Sequence, residues 1–208
     1  MEDVLELYAE PVKPWQPVVC IDERPCVLHA DTRPSTPAQP GQVARYDYEY
    51  QRNGTCNLFM LFQPGAGWRH AKVTQQRTRT DFAEVMRELV DVHFPHAEKI
   101  RVVLDNLNTH SPASLYAAFS PVEARRILSK LEFHHTPKHA SWLNMVEIEL
   151  SVLVHQCLKR RIPDIETLAH EVAAWQAARN AQHATIRWLF DVHQARIKLA
   201  HLYPQLSC

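Results

Sequence analysis

Glycine is scarce in this chain, with four in 208 residues against 46% hydrophobic residues, so the composition is that of a folded globular protein with disorder at most local. Excess charge is lacking too: Lys plus Arg and Asp plus Glu number 23 each. Net charge therefore gives no vote for a polyanionic partner, and any nucleic-acid surface must be a local patch. The five cysteines, Cys20, Cys26, Cys56, Cys157 and Cys208, contain no CxxC pair, and an odd count argues against a disulfide framework. A reducing cytosol fits that pattern. No apolar run approaches the roughly 18 residues of a spanning helix, and the acidic start MEDVLELYAEP has none of a signal peptide's basic and apolar regions. A soluble intracellular protein without membrane contact is the expectation. The length suits one sizeable domain, or one domain with a helical appendage.

What is present organises itself around Lys99 to His110, KIRVVLDNLNTH. Val102, Val103 and Leu104 form a short buried strand with Asp105 at its carboxyl end, where ligands and metals gather in open α/β sheets. The same arrangement occurs earlier, in PVVCIDE, where Val18 to Ile21 are an apolar strand ending in Asp22 and Glu23. Asp22, the first polar residue after the strand, is the better metal candidate; Glu23 points to the opposite face, and a surface role is its default.

Met1 to Glu10 reads as the tail of a helix, cut off by Pro11, Pro14 and Pro17, and so abrupt a helical start suggests that something precedes it in a longer protein. Asp31 to Asp47, with Pro34, Pro37, Pro40 and Gly41, is an extended loop: a solvated connector, or a functional loop gripping DNA or a partner subunit. Tyr46, Tyr48 and Tyr50 alternate with acids as the loop returns as a strand. Asn57 to Phe62 is a strand buried on both faces, PGAG (Pro64 to Gly67) a turn, and Trp68 to Thr74 the returning partner, making a three-stranded meander.

Thr80 is the expected cap of a helix carrying Phe82, Val85, Met86, Leu89 and Val90 and ending near His93. His93 and His96, separated by Pro95, lack zinc-site spacing and are read as structural. The helix leads by a right-handed crossover to the Asp105 strand, and parallel neighbours with acids at matching ends bring Asp22 and Asp105 together. Asn106, Asn108 and His110 form a polar turn, in which Asn106 either positions a carboxylate or phosphate or is a plain turn residue. A helix opened by Pro112, a second over Glu123 to Leu131 and a fifth strand over Glu132 to Thr136 follow. Arg125, Arg126 and Lys130 give the second helix a basic face, for which plain solvated surface is the alternative reading.

In KHASWLNMVEIELSVLVHQCLKRR, Lys138 to Arg161, Ser141 caps a helix whose apolar face contains Leu143, Val146, Leu150, Leu153, Val154 and Cys157. At about 100° per residue, Glu147 falls roughly 60° from the centre of that face and Glu149 roughly 100° away on the other side. Glu147 thus borders the packed surface and reaches toward the acidic edge of the sheet, whereas Glu149 faces solvent or a neighbouring subunit. Beyond Ile162 the chain is helical, first with Ile165, Leu168, Ala169, Val172 and Trp175 on one face, then with Val192, Ala195, Leu199 and Leu202. Arg179, Arg187, Arg196 and Lys198 are either phosphate contacts or, more simply, solvated surface.

The order strand, strand, strand, helix, strand, helix, strand, helix, with acids after the first and fourth strands and on the last helix, looks like a ribonuclease-H-like core. That is an α/β fold with a five-stranded mixed sheet flanked by helices, here over residues 1–162 including a loop insertion at 24–47, with a C-terminal helical extension over 163–208. VVCIDE, VVLDNLNTH and HASWLNMVEIELS resemble the three acidic motifs of DDE transposases in the bacterial insertion sequence 630 family of the mariner superfamily. The likeness continues through IRWLFDVHQARIKLAHLYP, and SWLNMVE is its most specific piece.

The resemblance implies that Asp22, Asp105 and Glu147 are the catalytic and metal-binding triad, with Asn106, His110 and Asn144 as accessory residues. Helix-face geometry favours Glu147 over Glu149 as the third acid. Two Mg²⁺ or Mn²⁺ ions are the implied cofactors, Asp22 and Asp105 sharing one and Glu147 completing the second site. Transposon-end cleavage and strand transfer into target DNA, at a TA dinucleotide, are the implied reactions, carried out by a homodimer on double-stranded DNA in the bacterial cytoplasm and nucleoid. In such relatives a loop after the first acidic strand clamps the partner subunit, and the Arg24 to Asp47 segment occupies that place. The helix-turn-helix region that recognises transposon ends in full-length members is missing here. A non-catalytic DNA-binding or dimerising relic that inhibits an intact transposase, and a structure-selective nuclease on the same core, are the competing readings.

Overall fold

Strand β1, Val18–Asp31, is the spine of the computed structural model, which describes residues 1–45 and 47–203. β1 pairs antiparallel with β2 (Tyr50–Gln63), which pairs antiparallel with β3 (Trp68–Thr74) across the Pro64 to Gly67 turn. On its other side β1 runs parallel to β4 (Ile100–Leu104), and β4 runs parallel to β5 (Leu131–His135). The sheet order is β3-β2-β1-β4-β5, the mixed five-stranded sheet expected from the sequence.

Alternation along β1 sorts its side chains between two apolar layers. Val19 and Ile21 join Phe59, Leu61, Val102 and Leu104 in one layer, under α2 (Arg79–Glu88), α3 (Pro112–Ala118) and α4 (Pro121–Lys130). Cys20 joins Leu58, Met60, Phe62 and Val103 in the other. That second layer is closed by α1 (Glu2–Ala9), α5 (Val146–Leu153), α6 (Ile165–Ala181) and α7 (Val192–Lys198). α6 contributes Leu168, Val172 and Trp175 and lies directly on the sheet, while α7 packs against α1.

Several local expectations are corrected. β1 does not end at Asp22 but continues to Asp31, because β2 goes on pairing with it after β4 has stopped; the segment expected as loop from Arg24 is strand until Asp31. The loop closes on itself through bridges Thr36↔Arg45 and Gln39↔Gln42, and the return strand starts at Tyr50; Tyr46 lies outside the described residues. Thr78, not Thr80, caps α2: its hydroxyl accepts from Asp81 N at 3.2 Å, and the Asp81 carboxylate accepts from Thr78 N at 2.7 Å, a reciprocal capping box. Ser141 opens only a short 3₁₀ turn, Ser141–Leu143, and α5 begins at Val146. Leu202 is exposed instead of completing an apolar face with Ala195. Residues 204–208, the end of the expected C-terminal extension, also lie outside the described part.

Gly67 is required where it stands. Its φ of +64° is the left-handed region, and a Cβ there would meet the His183 carbonyl carbon at 2.7 Å. The turn after β2 can therefore lie flat against the backbone that follows α6.

Candidate active site

The register explains how two distant acids come level. β1 and β4 pair as Val18↔Arg101, Val19↔Val102 and Cys20↔Val103, and two residues further on are Asp22 and Asp105. Asp22 stays in the ladder on its other side, opposite Met60, whereas Asp105 is the first residue past β4. Asp22 shares the face of Cys20, the layer closed by α5, and Glu147 lies in the first turn of that helix.

Asn144 ties these parts together. Its buried side-chain amide donates to Ile21 O at 2.9 Å, and its backbone carbonyl accepts from Glu147 N at 3.0 Å. The start of α5 is thus anchored to the strand residue next to Asp22. Asn106 is exposed in the turn after Asp105.

The electrostatics show the convergence. Burial pushes the Asp22 carboxyl up to about 7 against the opposing hydrogen bond from Glu23 N, and the negative charges of Glu147, Glu23 and Asp105 push it the same way. Asp105 is treated differently: a hydrogen bond from His110 holds its carboxyl below the usual range, against the effect of partial burial. His110 Nδ1 is 2.6 Å from Asp105 Oδ1, and Nε2 is 3.0 Å from the Glu23 carboxylate. Burial alone would lower the His110 pKa, but the two acids outweigh it and raise it to about 9. The imidazolium therefore donates from both nitrogens at neutral pH and bridges the carboxylates of β1 and the β4 turn.

Glu23 does not have the surface role expected of it. It does point away from Asp22, but into the buried layer beneath α2, where its side chain is 2% exposed and has His110 as its partner. Glu149 is corrected likewise. Its side chain is 1% exposed, with Arg69 Nε at 3.0 Å and Arg179 Nη2 at 3.0 Å. Arg69, itself wholly buried, also donates to Gly67 O, Arg179 O and Ala184 O at 2.7 to 2.9 Å. Glu149 is committed to joining α5, β3 and the end of α6, so Glu147 is the acid of that pair available to the cleft.

Of the other basic residues expected on the surface, Arg126 pairs bidentately with Asp91 at 2.7 and 2.8 Å, Arg196 pairs with Glu2 at 2.7 Å, and Lys198 lies over the Phe190 ring. Sequence reasoning missed the Glu23 to His110 bridge, although the alternation that puts Glu23 on the Val19 and Ile21 face already demands a buried partner for it. It also passed over a second cluster. Among the described residues only His70, Glu88 and His93 bring one ligand atom each to within 4.8 Å of one another; Asp22, Asp105 and Glu147 stand further apart.

The chemistry of these three carboxylates nonetheless fits magnesium or manganese. Carboxylate oxygens are hard ligands, and the like charges that raise the Asp22 pKa are what a divalent cation offsets. No helix among the described residues is long and apolar enough to cross a membrane.

Comparison with known proteins agrees with this fold. A family model described as DDE superfamily endonuclease matches residues 17–169, a span holding Asp22, Asp105 and Glu147. Among solved structures, the Mos1 mariner paired-end complex with Mn superposes with a TM-score of 0.56 at 13% identity, covering 87% of this chain and 55% of that one. The Mos1 strand transfer complex gives 0.57 at 13% identity, covering 88% and 54%, and the Mos1 transposase complex with the left transposon end gives 0.54 at 15%, covering 82% and 52%. This chain thus spans about half the length of the Mos1 chains it matches, and the likeness establishes a shared fold. A comparison with curated proteins gave no match. The ribonuclease-H-like sheet and the family match over residues 17–169 agree with the resemblance read from the three acidic motifs, and the chain belongs to the DDE superfamily endonucleases.

Proposed function

We propose that this chain is the catalytic domain of a transposase, which cuts DNA at transposon ends and transfers the freed strand into target DNA. The observation that supports it most is the parallel register that brings Asp22 and Asp105 level at one edge of the sheet, with the start of the helix carrying Glu147 tied to Ile21 O through Asn144. In this reading Asp22, Asp105 and Glu147 hold two Mg²⁺ or Mn²⁺ ions. Bound there, such ions supply Lewis acidity toward a phosphodiester and a lowered pKa for the attacking water or 3′-hydroxyl.

The rest of the work belongs to the chain. Asp22 is fixed by the sheet, Asp105 is held by His110, and Asn144 sets the start of the helix that brings Glu147 in. His110 keeps Asp105 ionised and ready to bind a cation. Double-stranded DNA is the substrate, a TA dinucleotide the target and a homodimer the working assembly. The part of the Arg24 to Asp47 segment that follows β1 is assigned the grip on the partner subunit.

The test uses end-labelled duplex carrying a transposon terminus, incubated with the protein and Mn²⁺ or Mg²⁺. Asp105→Asn is expected to abolish metal-dependent strand cleavage while leaving the unfolding transition nearly unchanged. Cleavage by Asp105→Asn at the wild-type rate would overturn the assignment. Equal cutting of duplexes with and without the terminus would indicate a nuclease of broader selectivity.

A further inference from the structure

We propose that His70, Glu88 and His93 form a second cation site, suited to one zinc-class transition metal ion, on the face of the sheet opposite Asp22. His70 lies on β3 across from Leu61, on the α2 side. Glu88 is the last residue of α2, and His93 ends the π-helical turn Leu89–His93 that continues it.

That turn makes the cluster. In an ordinary α-helix, residues five apart point about 140° away from each other. Here the backbone widens, with Phe94 N donating to Leu89 O at 3.0 Å, and His93 Nε2 comes within 3.6 Å of Glu88 Oε1. Turns of this kind often sit at functional positions. His70 Nε2 approaches the same oxygen at 3.2 Å, and the two imidazole rings are 4.3 Å apart.

The donors are built in but left unused. Both Nε2 atoms are buried and face only the shared Glu88 Oε1, at 3.2 and 3.6 Å without hydrogen-bond geometry, an arrangement that is costly unless something else takes up the lone pairs. Lys72 Nζ donates to Glu88 Oε2 at 2.6 Å, which holds the carboxylate in place and leaves Oε1 to the histidines. Trp68 and Phe94 form the neighbouring apolar wall, the Trp68 ring lying 5.0 Å from His93 and nearly parallel to His70. Burial lowers the pKa of both histidines and the Glu88 charge does not reverse it, so the imidazoles are neutral and able to ligate near pH 7.

Two imidazoles and one carboxylate, with side chains 16 to 27% exposed, leave room for water as a fourth ligand. That donor set favours Zn²⁺ or Co²⁺ over Mg²⁺, which the acids of the other face prefer. A bound ion would fasten the edge strand β3 to the end of α2.

The experiment is a Co²⁺ and Zn²⁺ titration of the whole chain carrying Asp105→Asn, which disables the acidic cleft. One equivalent of Co²⁺ with visible d–d absorption, displaced by Zn²⁺ and indifferent to excess Mg²⁺, is expected. His70→Gln and His93→Gln should each weaken Zn²⁺ binding by tenfold or more in a competition with a chromophoric chelator, with unchanged far-ultraviolet circular dichroism. In the unmutated histidines, ¹⁵N spectra should show two Nε2 resonances moving on addition of Zn²⁺. Wild-type affinity in both histidine variants, loss of the Zn²⁺ equivalent through Asp105→Asn alone, or unmoved Nε2 resonances would each overturn the proposal.

Discussion

His110 Nε2 and the Glu23 carboxylate meet 3.0 Å apart in a buried layer, and the other nitrogen of the same ring holds Asp105. The charge of one imidazole therefore links the strand that carries Asp22 to the turn that carries Asp105. Its removal leaves Glu23 buried with no positive partner, a costly state for an ionised group.

Metal-free protein should accordingly lose stability in alkali. The His110 pKa is about 9 when folded, against 6.5 for the ordinary side chain. The folded state holds this proton more tightly, so the contribution is complete below 6.5 and disappears as the pH rises through 9. Urea denaturation of the protein in chelator, across that range, should show the decline, and His110→Gln should flatten it. An equal slope in the variant would refute the bridge as its source.

Glu147 and Glu149 should separate cleanly. Glu149→Gln removes the charge between two arginines and is expected to destabilise by about 3 kcal/mol, the scale for breaking a buried ion pair. Glu147→Gln borders the open cleft and should leave the unfolding midpoint within about 0.5 kcal/mol of wild type while strand cleavage is lost. Thermal unfolding and cleavage measured on both variants decide the matter; the reverse pattern would reassign the third acid.

Asn144→Ala should cost about 1 kcal/mol through the lost hydrogen bond to Ile21 O. Cleavage, measured well below the unfolding midpoint, should fall further than that stability loss explains, by about tenfold or more, because the anchor of Glu147 is gone. A variant with wild-type turnover would show that the helix is positioned by its apolar packing alone.

Much of this molecule is legible in its sequence, for identifiable reasons. Strand β4 is a short, wholly buried run, apolar but for Arg101, and β3 matches its expected limits because Gly67 and Thr74 bound it with turn chemistry. The parallel placement of Asp22 and Asp105 follows from a crossover of one hand. What stays hidden depends on partners far along the chain. Glu149 reads as solvent-facing because its helix angle says nothing of Arg69, eighty residues earlier, or Arg179, thirty later. The apparent pair His93 and His96 is the wrong pair; His93 meets His70 through a strand register and a π turn that no local spacing announces. Ser141 has the chemistry of a cap, but Asn144 is drawn to Ile21 O and the helix starts after it.

The unequal footing of the three cleft acids decides where compliance resides. Asp22 sits mid-strand, hydrogen-bonded in register opposite Met60, and cannot shift without tearing open the ladder around it. Asp105 stands on the first loop residue and Glu147 in an opening helical turn, where small backbone rotations are cheap. In the proposed reaction, any tightening around a scissile phosphate must therefore come from those two, swinging toward a fixed post.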